Sequence, residues 1–258
     1  MQTVLFHSVI FGPIRSRRLG NSLGVNLSPV DGKICSFDCL YCEAGFNAQG
    51  PGTSGLPSRE DVRRQLDEKL SRMKADGQPL DVITFSGNGE PTLHPDFEGI
   101  IDDTLALRDR YFPQVKVSVL SNSTRLHDDG VVRALRRVDN NILKLDSAID
   151  ATMRIIDRPA SPEFTVRRAI EGITQFAGKA IVQTMLLRGE IDGVPVDNTT
   201  DAEIDALVDA CRRIAPESVM LYSIDRQTPC RTLRKVDREE LEIIARRFRS
   251  AGLDVQVN

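Results

Sequence analysis

Three cysteines fall within the stretch Cys35-Ser36-Phe37-Asp38-Cys39-Leu40-Tyr41-Cys42. The spacing C-x3-C-x2-C lets one loop turn three sulfurs toward a common centre, and soft thiolate ligands of this kind select zinc or an iron–sulfur cluster. A structural zinc site closes its tetrahedron with a fourth Cys or His from close by. The first such residue after the loop is His94. Three protein ligands with one position left open describe a working site; the rival readings are a zinc clip and unrelated buried thiols.

A second chemical signal is the run Gly87-Asn88-Gly89-Glu90-Pro91. Glycine lets a backbone approach a ligand closely, and a carboxylate or carbonyl beside it can accept from an ammonium group. Short polar residues recur at Ser121-Asn122-Ser123 and at Asp146-Ser147, where the bland alternative is a Ser/Asn turn and a helix cap. Arg15, Arg17 and Arg18 form the densest basic run, suited to an anion or simply solvated. Arg246-Arg247-Phe248-Arg249 reads as a solvated helix face. Lys144 is either an amine for Schiff-base chemistry or, more ordinarily, the partner of a carboxylate. Cys211 sits at helical spacing with Ile204, Leu207 and Val208 and reads as a core thiol, while Cys230 follows Pro229 near the mouth that a site would have. His7, His94 and His127 form no triad or metal pattern.

These residues need a scaffold that brings them together, and the hydrophobic pattern supplies one. Residues 23–27, 81–86, 115–120, 141–145, 180–187 and 219–222 read as strands, with 253–257 able to add to the sheet edge. Ser58 caps a predicted helix that Gly77 and Pro79 stop, and further helices are predicted over 96–110, 129–137, 162–176, 201–214 and 237–250. Strands alternating with helices mean right-handed crossovers and a parallel sheet. Six such units fall short of the eight of a closed barrel. The predicted fold is α/β, a partial (β/α)6 TIM-type barrel with parallel strands. Chemistry in such barrels gathers at the C-terminal strand ends, where the cysteine loop, the glycine run, Ser121–Ser123, Asp146-Ser147, Arg188 and Asp225-Arg226 all fall. Residues 1–22 read as an N-terminal arm and 43–56, rich in Gly, Ala, Ser and Pro, as a flexible loop able to cover a site.

The 258 residues suffice for one large domain, and no compositional break divides 1–258 into two. With a net charge of −3, the chain has no global basic field for nucleic acid. No basic segment followed by an apolar run opens it, and no stretch reaches the roughly eighteen apolar residues of a membrane span. The expected compartment is the cytoplasm, with no membrane partner. Five cysteines, three of them in one metal-type motif, fit a reducing environment.

With Tyr41 directly before the third cysteine, the loop resembles the cluster loop of the radical S-adenosylmethionine (SAM) superfamily. The run 87–91 resembles that superfamily's Gly-Gly-Glu-Pro motif, with Asn88 in the first glycine position. The resemblance implies a [4Fe-4S] cluster held by Cys35, Cys39 and Cys42, with SAM on its fourth iron. It also implies reductive cleavage of SAM to methionine and a 5′-deoxyadenosyl radical that abstracts hydrogen from a substrate. The implied SAM site draws on Tyr41 beside the adenine, on Asn88, Gly89 and Glu90, and on Ser121, Asn122, Asp146 and Ser147 for the ribose or methionine carboxylate. The implied electron donor is reduced flavodoxin or a ferredoxin.

The flanks 11–20, 22–26 and 221–226 are similar to iron–sulfur oxidoreductases related to wyosine-type tRNA-modifying enzymes, the 4-demethylwyosine synthases among them. Those synthases carry a second cysteine set ahead of the SAM-cluster motif, whereas no cysteine precedes Cys35; a second cluster in that place is excluded. The substrate stays open between a nucleic-acid base, a partner protein or peptide, and a small molecule. A non-catalytic iron–sulfur electron carrier or a zinc-stabilised scaffold is the reading from another class.

Overall fold

The computed structural model describes residues 4–16 and 19–258, so Arg17 and Arg18 of the basic run lie outside the described residues. The chain opens with an antiparallel pair, β1 (Ile10–Ser16) and β2 (Gly20–Val25). The cysteine loop follows, then α1 (Arg59–Ala75), β3 (Val82–Phe85), α2 (Phe97–Tyr111), β4 (Lys116–Ser121), α3 (Asp129–Leu135) and β5 (Asn140–Lys144). Next come α4 (Asp150–Ile156), α5 (Val166–Thr174), β6 (Ala180–Ile191), β7 (Val194–Asp197) and α6 (Asp201–Ile214). β8 (Ser218–Ser223), β9 (Arg234–Lys235), α7 (Arg238–Ser250) and β10 (Val255–Val257) complete the chain.

The strand order is β1-β2-β3-β4-β5-β6-β8-β10, parallel from β2 onward. β7 and β9 pair antiparallel with the far end of β6. The two ends of this order do not meet, which leaves the α/β sheet open as a partial barrel. Helices cover its outer face. In α1, for example, Ser58 accepts from the Asp61 amide, and Val62, Leu66, Leu70 and Met73 line the buried stripe. The inner face has a smaller apolar floor of Ile142, Ile181 and Met220, packed by Leu19 and Leu120. Strand side chains alternate, so Asn122, Lys144, Gln183 and Tyr222, each two residues further on, continue that face toward the C-terminal strand ends.

Several expectations need correction. Residues 1–22 are not only an arm, because β1 pairs along β2 from Ile10↔Val25 to Ser16↔Gly20, with a register shift between Phe11 and Ile14. Gly12-Pro13 sits at that shift, and a proline, having no N–H to give a ladder, is tolerated on an edge strand at a bulge. The strand expected over 180–187 runs to Ile191 and turns through Asp192-Gly193, at φ +49° and +79°, into β7. Asp-Gly is a type I′ hairpin pair, a signal that was available in the sequence. The helix expected over 162–176 starts only at Val166, where Thr165 accepts from the Arg168 amide, and the separate α4 precedes it.

Candidate active site

The cysteine loop leaves the C-terminal end of β2 and is gripped by three neighbouring strand ends. Just ahead of it, Ile34 bridges to Gly89 beyond β3: Ile34 N donates to Asn88 O at 3.2 Å, and Glu90 N to Ile34 O at 3.0 Å. A Cβ on Gly89 would stand 1.8 Å from Ile34 O, so only glycine lets the two loops lie this close. At the end of β4, Asn122 Nδ2 donates to Ser36 Oγ at 2.9 Å and lies 3.6 Å from Cys35 Sγ. At the end of β5, Lys144 Nζ lies 3.7 Å from Cys39 Sγ and donates to the Tyr41 hydroxyl. The segment after β8 touches the same loop, since Cys230 N donates to Leu40 O at 3.3 Å and Arg226 pairs with Glu43 at 2.6 Å.

The donor set fits an iron–sulfur cluster. Burial, with Glu90 adding, pushes the Cys35 thiol up to about 11, and burial pushes Cys39 well up although Lys144 opposes it. Thiols in this setting stay neutral until a metal takes the proton's place. Among the described residues no three Cys, His, Asp or Glu side chains converge on one metal ion. The buried Lys33 donates to Gly45 O at 2.8 Å and pairs with Asp38 at 3.4 Å, and the charges of Cys42, Cys35, Cys39 and Asp38 raise its pKa against the effect of burial.

The predicted SAM-binding residues divide. Asn122, Gly89 and Glu90 are gathered at the loop, with Ser121 next to them. Glu90, however, is 4% exposed, and its carboxylate is occupied within the chain. It accepts from Thr92 N and Oγ1 at 3.1 and 2.6 Å, from Asn122 N at 2.6 Å, and from Ser121. Asn88 is fully buried, with its amide bonded to the backbone of Phe6 and to Pro29 O. The Tyr41 hydroxyl turns inward to Asp146 and Lys144 rather than outward. Asp146 also accepts from Met185 N at 2.8 Å, and Ser147 donates to Glu203 of α6 at 2.7 Å; both are buried.

Lys144 takes the ordinary reading, a cation between Asp146 at 3.1 Å and Asp157 at 3.6 Å. Those carboxylates and Cys39 hold its pKa well above the usual lysine value despite burial. Burial and Asp146 in turn push Asp157 well up. Arg188 pairs with Glu240 and Asp197, and His94 is held between Pro57 O and the Asp96 amide, so neither faces the thiols. Arg15 lies opposite Asn21 near the start of β2, the sheet end away from the cysteine loop. Cys211 is a core thiol, raised to about 12 by burial. The loop 43–56 is fastened at both ends: Asn47 bonds Asp38, Cys35 O and Phe37 O, while Thr53 and Ser54 bond Asp31.

Lys33 and Asp157 were missed in the sequence. Lys33 is adjacent to the motif, so its proximity was the available signal. Asp157, which accepts from Cys39 Sγ at 3.5 Å, is 118 positions away and carried none. A cavity of about 570 Å³ opens beside Ser36, lined by Thr124, His127, Phe164 and Arg168 among others.

Residues 30–203 match the Radical SAM superfamily. A UPF0026 protein of Synechocystis (slr1464) is 31% identical over 227 residues, 85% of this chain and 77% of the relative. A Brachyspira hyodysenteriae protein named GTPase Obg is 28% identical over 255 residues, 96% of this chain, but this chain spans only 34% of that relative. Among solved structures, a radical SAM methyltransferase from Sphaerobacter thermophilus superposes with TM-score 0.66 at 17% identity, over 92% of this chain and 65% of the other. Streptococcus suis SuiB bound to S-adenosylmethionine gives 0.63 at 15%, over 91% and 49%. TYW1 with a lysine–pyruvate adduct bound, a wyosine synthase, gives 0.61 at 15%, over 89% and 73%. At these identities the structural likeness is one of fold. With the family matched over 30–203 and a 31%-identical relative covered over 77% of its length, the chain belongs to the radical SAM superfamily.

Proposed function

We propose that the chain is a radical SAM oxidoreductase in which Cys35, Cys39 and Cys42 hold a [4Fe-4S] cluster with one iron left for SAM. The observation that carries this reading is the meeting of the ends of β3, β4 and β5 on one C-x3-C-x2-C loop, through Gly89, Asn122 and Lys144. When bound, the cluster supplies the electron, drawn from a donor such as reduced flavodoxin or ferredoxin, that splits SAM into methionine and a 5′-deoxyadenosyl radical. The chain's own residues position the parts. Gly89 allows the loop of β3 to press on the cysteine loop, and Asn122 fixes Ser36 and so the backbone at Cys35. Asn122, Gln183 and Tyr222, on the inner face above the apolar floor, are the side chains that would meet SAM.

The open sheet leaves a lateral way in for a sizeable substrate, whose hydrogen the radical takes. Arg15 stands at the other end of the sheet, so Arg15 does not argue for a nucleic-acid base over a partner protein, a peptide or a small molecule. The test is to mix the reduced, anaerobically reconstituted protein with SAM and assay 5′-deoxyadenosine and methionine. Both are expected, slowly without substrate, and neither from Cys39→Ala. Fully loaded protein that binds SAM yet yields no 5′-deoxyadenosine would put the electron-carrier reading in its place.

A further inference from the structure

The cavity of about 570 Å³ beside Ser36 has no part in the chemistry derived so far. Leu126, Pro159 and Phe164 give it apolar walls, and Thr124, His127 and Arg168 add polar groups. A concave site of this size and lining seats a small, flat organic group. Two links join it to the first cysteine. Ser36, which follows Cys35 in the chain, forms part of the wall, and its hydroxyl meets Thr124 Oγ1 at 2.6 Å. Phe164 packs edge-on against Phe37 with ring centres 5.4 Å apart, and Phe37 N donates to Cys35 Sγ at 3.5 Å. The wall is itself tied to the cysteine loop, because Phe37 bridges to Pro159 and Ala160 N donates to Ser36 O at 2.9 Å.

Elsewhere the cysteine loop is held by other segments of the chain. Val4 N donates to Glu43 O, Asn47 Nδ2 to Cys35 O and Phe37 O, and Cys230 N to Leu40 O. At Ser36 a cavity opens instead, apart from the inner-face side chains that would meet SAM. An electron tunnels between redox groups at a rate that falls steeply with distance, so its donor must approach where the chain leaves room next to a cluster ligand. Charge points the same way. The wall segment 154–171 exposes Arg154, Arg158, Arg167 and Arg168 against Glu163 and Glu171, on a chain whose net charge is −3. Asp157 of that segment is 2% exposed and paired with Lys144, and on the facing wall Arg125 and Asp128 neutralise each other at 2.7 Å. A surface of this kind attracts an acidic partner.

Resting on the cluster reading above, we infer that this cavity is the docking site of the electron donor, an acidic flavodoxin-type protein whose exposed flavin edge seats against Leu126 and Phe164. One electron leaves the reduced flavin and enters the oxidised cluster; the flavin ends oxidised by one electron, and no proton need move. The test uses the anaerobically reconstituted chain with a flavodoxin and, as a small reductant that needs no docking surface, with dithionite. Ser161 and Arg168 both line the cavity and are exposed, so Ser161→Trp fills it and Arg168→Glu reverses its charge. Iron and sulfide per chain should match wild type in both variants. The Kd for flavodoxin at low salt, measured by calorimetry, should rise about tenfold or more in each. Formation of 5′-deoxyadenosine from SAM should fall about tenfold when reduced flavodoxin supplies the electron, and stay within about twofold of wild type when dithionite does. Loaded variants that bind flavodoxin as wild type does overturn this inference, as does a loaded wild type that binds no flavodoxin. Equal loss with both reductants overturns it too, since the cavity would then serve only the structure. Wild-type protein that takes up no cluster overturns the cluster reading and the inference with it.

Discussion

Replacing Glu90 with alanine removes the carboxylate that ties the end of β3 to the end of β4. In the native chain one oxygen accepts from Thr92 N at 3.1 Å and Thr92 Oγ1 at 2.6 Å, and the other from Asn122 N at 2.6 Å. The Thr92 hydroxyl can rotate to another acceptor, but the two backbone amides cannot move. A buried donor left without its acceptor costs ~1–3 kcal/mol, so the two amides together come to about 2–6 kcal/mol. Burial also pushes the pKa of Glu90 up, so the ionised carboxylate carries a penalty of its own that alanine relieves. The net loss should be about 2–4 kcal/mol. Because Asn122 also holds Ser36 and lies against Cys35, the damage should spread to the cysteine loop. Urea unfolding of the apo protein, followed by circular dichroism, measures the first effect, and iron per chain after reconstitution measures the second. Both should fall in Glu90→Ala. An apo variant as stable as wild type, with full iron and weakened SAM binding, would refute this reasoning and make Glu90 a direct SAM ligand.

Two further outcomes are expected. Cys35→Ala, Cys39→Ala and Cys42→Ala should each abolish the cluster, whereas Cys211→Ala, which removes a thiol buried in the core, should leave iron content unchanged; equal iron loss in Cys211→Ala would show that the ligand set is misassigned. Glu90→Gln should show a pH-dependent penalty of defined sign. The pKa of Glu90 is raised in the fold, so its contribution is fully present below its ordinary value of 4.5 and is lost as pH rises through the folded value. The stability lost on Glu90→Gln should therefore be smaller at neutral pH than near pH 4, and urea midpoints showing the reverse would overturn the assigned sign.

The parts of this protein that were legible in the sequence are those set by local spacing. The thiol loop needs only eight consecutive residues, and the strands β3, β4 and β8 announce themselves as apolar runs between breakers. The parts that were not legible depend on partners far along the chain. Asp157 meets Cys39 across 118 positions, and nothing near Asp157 marks it as a neighbour of the thiols. β1 was hidden by Gly12-Pro13, which forbids a central strand but not an edge.

Asn88 is the most instructive case, because it stands where the superfamily's motif has glycine. Read locally, the substitution adds a side chain where a ligand's backbone contact was expected. In the fold that side chain makes bonds no glycine could: its Nδ2 donates to Phe6 O and Pro29 O at 2.9 Å each, and its Oδ1 accepts from Phe6 N at 2.8 Å. Val4 N reaches Glu43 O at 2.9 Å, just past the third cysteine, and Asn26 N reaches Val9 O at 2.8 Å. The segment 4–9 is thus laced to the cysteine loop, the glycine loop and the end of β2 together. The departure from the motif is the attachment point of the chain's own N-terminal segment, a role that only the tertiary structure could supply.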